Sequence, residues 1–223
     1  MKSRLRCKSE VITVKTAYFW PHQPNLKIFH PSQTPKEDNE HQLSSLIEDI
    51  KAFEFDGIAS RAKRLKISPR KINDLITSLE ATGKLNKIEI NEFSGRRILL
   101  ELTDNSKHKM LGGIEHRFWN HKIAQINRKA GFKVEIENRI DNSTFVDQVI
   151  MKGKKKIAVE IETGKSTPVE TIVRDISFGF DRVVSVATNE SAYELIKSGI
   201  EKCGLAMDCK VAVVFAKDYQ ALE

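Results

Sequence analysis

At 223 residues the chain holds one large domain or two small ones. It is 40% hydrophobic, enough for a core, 30% charged, and carries a formal net charge of +7. No apolar run approaches the roughly 18 residues of a membrane span, and the basic N-terminus lacks the apolar centre of a secretion signal, so no membrane role is expected. The cation excess favours an anionic partner such as nucleic acid. It is spread out: 7 cations against 4 anions in residues 1–40, 13 against 10 in 41–110 and 17 against 16 in 111–223. Cys7, Cys203 and Cys209 form no C-x-x-C pair and are too few for a disulfide framework, which fits a reducing cytoplasm. The six histidines are scattered, with no spacing that suggests structural zinc.

In chain order, residues 1–40 form an N-terminal arm. Glu10–Trp20 reads as one strand, after which Pro21, Pro24, Pro31 and Pro35 break the chain and Lys36–Glu40 reads as a polar linker. A lone strand at this place fits either the trailing end of a larger domain or a loosely packed arm.

Residues 41–106 show a clearer period. Leu43, Leu46, Ile47 and Ile50 recur at helical spacing. Asp56 is placed to cap a second helix running to Lys66, with Ile58, Ala59, Ala62 and Leu65 inward. Ser68-Pro69 supplies an N-cap followed by the proline favoured at the first helical position. The third helix gathers Ile72, Leu75, Ile76 and Leu79 on one face and ends at Gly83. Strands Leu85–Asn91 and Arg97–Thr103 follow, around Glu92–Arg96.

Three helices and a hairpin, with Leu79–Leu85 and Leu102-Thr103, resemble winged helix-turn-helix domains. That resemblance implies that helix three offers Arg70, Lys71, Asn73, Thr77 and Ser78 to the major groove. Arg96 and Arg97 at the wing tip would meet phosphates. A winged helix that packs only against protein remains the alternative, given exposed Asp74 and the mild charge.

Gly112-Gly113 opens the second domain, 112–223. Ile114–Ala130 reads as a helix with Glu115 in its first turn, where the helix dipole favours an anion. Strand Phe132–Ile140 follows, and then two strands carrying acids. Thr144–Met151 contains Asp147, and Lys156–Glu162 contains Glu160 and Glu162, joined by the basic turn Lys152–Lys155. Strand alternation sends Glu160 and Glu162 to one face, and the hairpin brings Asp147 to the same side. Clustered carboxylates repel one another and resist burial, a conflict that Mg²⁺ resolves. The contrasting reading is a sheet edge with acids on its solvated face. Pro168–Phe180, Arg182–Thr188, Asn189–Cys203 and Lys210–Ala216 then read as helix, strand, helix and strand. The expected architecture is α/β, in the order αβββαβαβ, with a mixed sheet and helices on both faces.

This order, with Asp147 on the second strand and Glu160-Ile161-Glu162 on the third, resembles the PD-(D/E)XK or restriction-endonuclease-like nucleases. Asp147 matches the family Asp and Glu160 the family acid, while Glu162 stands where the family lysine falls. Glu115 matches an acid used in the Holliday-junction-resolvase branch. The resemblance implies a DNA endonuclease whose Mg²⁺ or Mn²⁺ is held by Asp147, Glu160 and the Ile161 carbonyl, with Glu115 joining. Glu162 or Lys165 would orient the attacking water. Gly112–Trp119 and Val159–Ser166 also look like the C-terminal region of HerA/FtsK-type ATPases of mobile elements, where a winged helix precedes a nuclease-like domain. The implied partners are DNA and such an ATPase, and the resolvase likeness implies a homodimer. A catalytically inactive DNA-binding or regulatory module on the same fold is the alternative. Gly164-Lys165-Ser166 is not a P-loop, because Val159 stands where the first glycine is required.

Overall fold

The structure, a computed structural model, describes residues 5–7, 10–12, 35–103, 112–141 and 144–221. Met1–Asp38 and Asn39–Glu223 are separate compact units. In the first, β1 (Leu5–Cys7) and β2 (Glu10–Ile12) pair antiparallel, with Arg6 opposite Val11. The strand at Glu10 therefore has a partner, contrary to expectation. The rest of the expected strand, Thr13–Trp20, lies outside the described residues, as do Pro21, Pro24 and Pro31.

Helix α1 runs Pro35–Ala52, so Lys36–Glu40 is helical rather than a linker. Its polarity reflects an exposed end: residues 38–41 are exposed, while Leu46 and Ile50 are buried. Helix α2 spans Ile58–Leu65 and α3 spans Pro69–Ala81. Ser68 caps α3 as expected, its hydroxyl accepting from the Lys71 amide at 3.2 Å. Gly57, not Asp56, is the N-cap of α2; Asp56 instead pairs with Arg64. The apolar faces of α1–α3 close over Leu85, Leu100 and Leu102. Beneath α2 lies a polar knot. Arg61 is fully buried and donates to Asp49 Oδ2 at 2.6 Å and to the carbonyls of Phe53 and Asp56 at 2.7 and 3.1 Å. Arg64 Nε binds the other Asp49 oxygen at 2.7 Å.

Strands β3 (Leu85–Glu92) and β4 (Gly95–Leu102) form an eight-pair antiparallel hairpin, longer and tighter at its tip than the pattern suggested. Ile90 and Leu99 join Phe118, Trp119 and Ile123 of α4 (Ile114–Lys129) in one core. Glu101 of β4 accepts the first amide of α4, that of Ile114, at 3.1 Å. Packing thus crosses the domain boundary that Gly112-Gly113 suggests.

The remaining strands are β5 (Lys133–Arg139), β6 (Phe145–Lys152), β7 (Lys155–Glu162), β8 (Arg182–Ala187) and β9 (Val211–Phe215). They form a five-stranded sheet in that order, antiparallel through β7 and parallel from β7 to β9. The mixed α/β architecture is the expected one. Tight connections give the antiparallel pairs, and the crossovers through α5 (Pro168–Ser177) and α6 (Glu190–Lys202) give the parallel pairs. Helix α4 covers one face through Ile157, Val159 and Ile161; α5 and α6 cover the other through Ala158, Val183 and Ala187. Strand β7 therefore sits in the middle of the sheet, buried on both faces. Among the described residues no helix is long and apolar enough to cross a membrane. Cys203 and Cys209 are exposed free thiols.

Candidate active site

The central position of β7 rules out the sheet-edge reading of its acids. On an edge strand Glu160 and Glu162 would face water; here they are 6% and 5% exposed. Both follow Ala158 onto the α5 face, by the two-residue alternation of a strand. Strand β6 brings the third acid. Gln148 pairs with Val159, so the next residues along, Asp147 and Glu160, fall side by side. Asp147, Glu160, Glu162, Glu115 and Lys165 all line one cavity of about 520 Å³. Ile88 and Glu101 of the β3–β4 hairpin form part of its wall.

Each acid is fixed differently. Asp147 Oδ2 accepts from the Ile161 amide at 2.7 Å and lies 2.9 Å from His116 Nε2. His116 belongs to the first turn of α4, and Gly112 lets the chain approach it: a Cβ there would stand 3.0 Å from the imidazole, and φ is +75°. Glu162 accepts from the Ser166 hydroxyl. Ser166 is turned over the cavity by Gly164, whose φ of +84° is left-handed. Glu160 Oε1 pairs with Arg174 Nη2 at 2.8 Å. Arg174 also holds Asp175 Oδ1, at 2.7 Å from Nη2 and 2.8 Å from Nε. Asp175 is fully buried, and its Oδ2 meets no N–H or O–H donor. Asp175 lies close enough to Glu160 to raise its proton affinity.

The electrostatics follow from burial. Desolvation is the largest cause that holds Glu160 well above the ordinary carboxylate range, followed by the charge of Asp147 and the contact with Asp175. Burial also raises Glu162, against the opposing hydrogen bond from Ser166. Removing a carboxylate from water costs several kcal/mol, and a single guanidinium shared by two acids beside a third does not offset that for all three. Opposite Asp147 the β5–β6 ladder skips a pair. Ile136 meets Gln148 and Asn138 meets Val146, while Glu137 between them has φ of +51°. A non-glycine residue there costs on the order of 1 kcal/mol, and such strain concentrates at functional sites.

The donor chemistry fits Mg²⁺ or Mn²⁺: hard carboxylate oxygens, partly buried, in mutual repulsion. Among the described residues no three His, Cys, Asp or Glu side chains are gathered around one point at coordinating reach. Arg174 occupies Glu160, and the Ile161 amide and His116 occupy Asp147.

The chain matches no protein-family model and no curated protein sequence.

Of the residues expected to touch DNA, Arg70, Asn73, Thr77 and Ser78 are exposed on α3. The Thr77 hydroxyl turns back to the Asn73 carbonyl at 2.9 Å. Lys71 is half-buried and bonded to Asn39. Arg96 is exposed and paired with Glu89. Arg97 departs from expectation: it turns inward to buried Glu92 and to the Phe55 carbonyl at 3.2 Å. A buried carboxylate needs cations, and Lys122 supplies the second. None of these seven residues lines the acidic cavity.

His116, Arg174 and Asp175 are site residues that the sequence reading did not assign. Asp175 did leave a signal. Pro168, Ile172 and Asp175 form the buried face of α5, so an acid stands where the helical stripe calls for an apolar residue.

Proposed function

We propose that the chain is a metal-dependent DNA endonuclease of the PD-(D/E)XK kind, in which α1–α3 and the β3–β4 hairpin act as a winged helix that positions the duplex. The observation that carries this reading is the convergence of Asp147, Glu160 and Glu162 from two adjacent strands, with Glu115 and Lys165, on one cavity. Mg²⁺ or Mn²⁺ held by Asp147, Glu160 and Glu115 would lower the pKa of a bound water and neutralise phosphate charge. His116 and the Ile161 amide orient Asp147. Ser166 orients Glu162, whose raised proton affinity suits it to accept a proton from water. The exposed face of α3 supplies Arg70, Asn73 and Ser78 for a groove. The motif resemblance adds an ATPase of the HerA/FtsK type as the partner.

Glu162 is buried and held, whereas Lys165 is exposed. Glu162→Gln is therefore expected to lower kcat about 10²-fold, and Lys165→Ala no more than about tenfold. Steady-state cleavage kinetics check this, and the reverse order would give the water-orienting role to Lys165.

The second reading is an inactive DNA-binding or regulatory module. The Arg174–Glu160 ion pair favours it, together with an acid at the position of the family lysine. Incubation of supercoiled, linear and branched DNA with Mg²⁺ or Mn²⁺, beside a chelator control, separates the two. Metal-dependent cleavage supports the endonuclease. Duplex binding without cleavage, in the presence of the ATPase as well, supports the module.

A further inference from the structure

We infer that Arg174 is the built-in counter-ion of the acidic site: it occupies Glu160 in the cation-free protein and must leave that carboxylate for Mg²⁺ or Mn²⁺ to bind. This rests on the metal-site reading above. One guanidinium bridges Glu160 at 2.8 Å and Asp175 at 2.7 Å; Glu160 and Arg174 line the cavity, and Asp175 is buried behind them. The three partners differ in freedom. The Glu160 and Asp175 side chains are 8% and 0% exposed, held by the central strand and by the buried face of α5, while the Arg174 side chain is 31% exposed. The acids cannot leave; the arginine can swing into the cavity that it already lines. The charge count points the same way. The carboxyl groups of Glu115, Asp147, Glu160 and Glu162 line the cavity beside the permanent cations Arg174 and Lys165, so acids outnumber permanent cations there. A divalent ion must still compete with Arg174 for Glu160, and the ion pair sets the concentration at which it wins. Once displaced, the planar fork of the guanidinium stands beside the place where a phosphate would enter, and its geometry matches phosphate oxygens. Arg174 is in this sense a positioning residue, a stand-in for the cation.

The test measures Mn²⁺ binding to the full chain without DNA, by titration calorimetry and by loss of the free-ion electron-spin signal. Arg174→Gln is expected to bind Mn²⁺ at least about tenfold more tightly than wild type, and Arg174→Lys to fall between them. Without metal, Arg174→Gln is expected to melt at lower temperature, with Mn²⁺ restoring the loss. Unchanged or weaker Mn²⁺ affinity in Arg174→Gln, with binding abolished by Asp147→Ala, would overturn the inference and leave the metal site standing. Absence of Mn²⁺ binding by wild type and by Arg174→Gln alike would instead overturn the metal-site reading on which it rests.

Discussion

Asp147→Ala is expected to lower metal-dependent DNA cleavage by at least about 10³-fold, the several kcal/mol that a lost metal ligand removes from the transition state. Duplex affinity should stay within about twofold, because the residues proposed to meet DNA lie on α3 and the hairpin, away from the cavity. Two features make Asp147 the most sensitive position. It is the only acid of β6 in the cavity, and it takes both the Ile161 amide and His116, so its loss removes a ligand and unseats two neighbours. Asp147→Asn separates these effects. It keeps the shape and an oxygen that can accept from the Ile161 amide, but removes the charge. It should fold like wild type and still fail to cleave. Cleavage at the wild-type rate by either variant would remove Asp147 from the chemistry.

Arg61→Ala is expected to destabilise the chain by about 3–5 kcal/mol, the usual result of breaking a buried ion pair from one side. Asp49, almost buried, would keep only Arg64, and the carbonyls of Phe53 and Asp56 would lose the guanidinium that donates to them. Replacing both members together, Arg61→Met with Asp49→Leu, should restore much of the loss, since the desolvation cost disappears along with the pairing. Urea denaturation measures both variants; an equal loss in the single and double replacements would contradict the account. The same pair gives a pH dependence. Burial alone would raise Asp49, but the hydrogen bonds and charges of Arg64 and Arg61 outweigh it and hold the carboxyl below its ordinary value of 3.8. A depressed folded-state pKa stabilises fully above the unfolded value and is lost as pH falls through the folded one. This contribution should therefore persist to about pH 4 and vanish below it, and the Arg61→Met, Asp49→Leu protein should lack that acid-side loss.

The candidate site was legible where local rules decide it. Strand alternation alone puts Glu160 and Glu162 on one face, and a short turn between β6 and β7 allows only one side for Asp147. The order of strands and helices followed from periodicity, and so did the mixed sheet. What escaped needed long-range contacts. Arg97 sits beside Arg96 in sequence, and only the burial of Glu92 against α4 tells which of the two turns inward. Arg174 and Asp175 became site residues because α5 crosses the acid face of β7, a docking that helical spacing does not report. His116 reaches Asp147 because the first turn of α4 stands over β6. Lys36–Glu40 is part of a helix rather than a linker, and composition does not distinguish the two, because a solvated helix end has no apolar stripe.

In the proposed nuclease Asp147 and Glu160 together hold a divalent cation that the chemistry requires. Crystals of the full chain grown with Mn²⁺, measured at the manganese absorption edge, test it most directly. The account predicts an anomalous peak bonded to carboxylate oxygens of Asp147 and Glu160, with the Arg174 guanidinium moved off Glu160. A saturated crystal with no peak in the cavity and Arg174 still on Glu160 would contradict it.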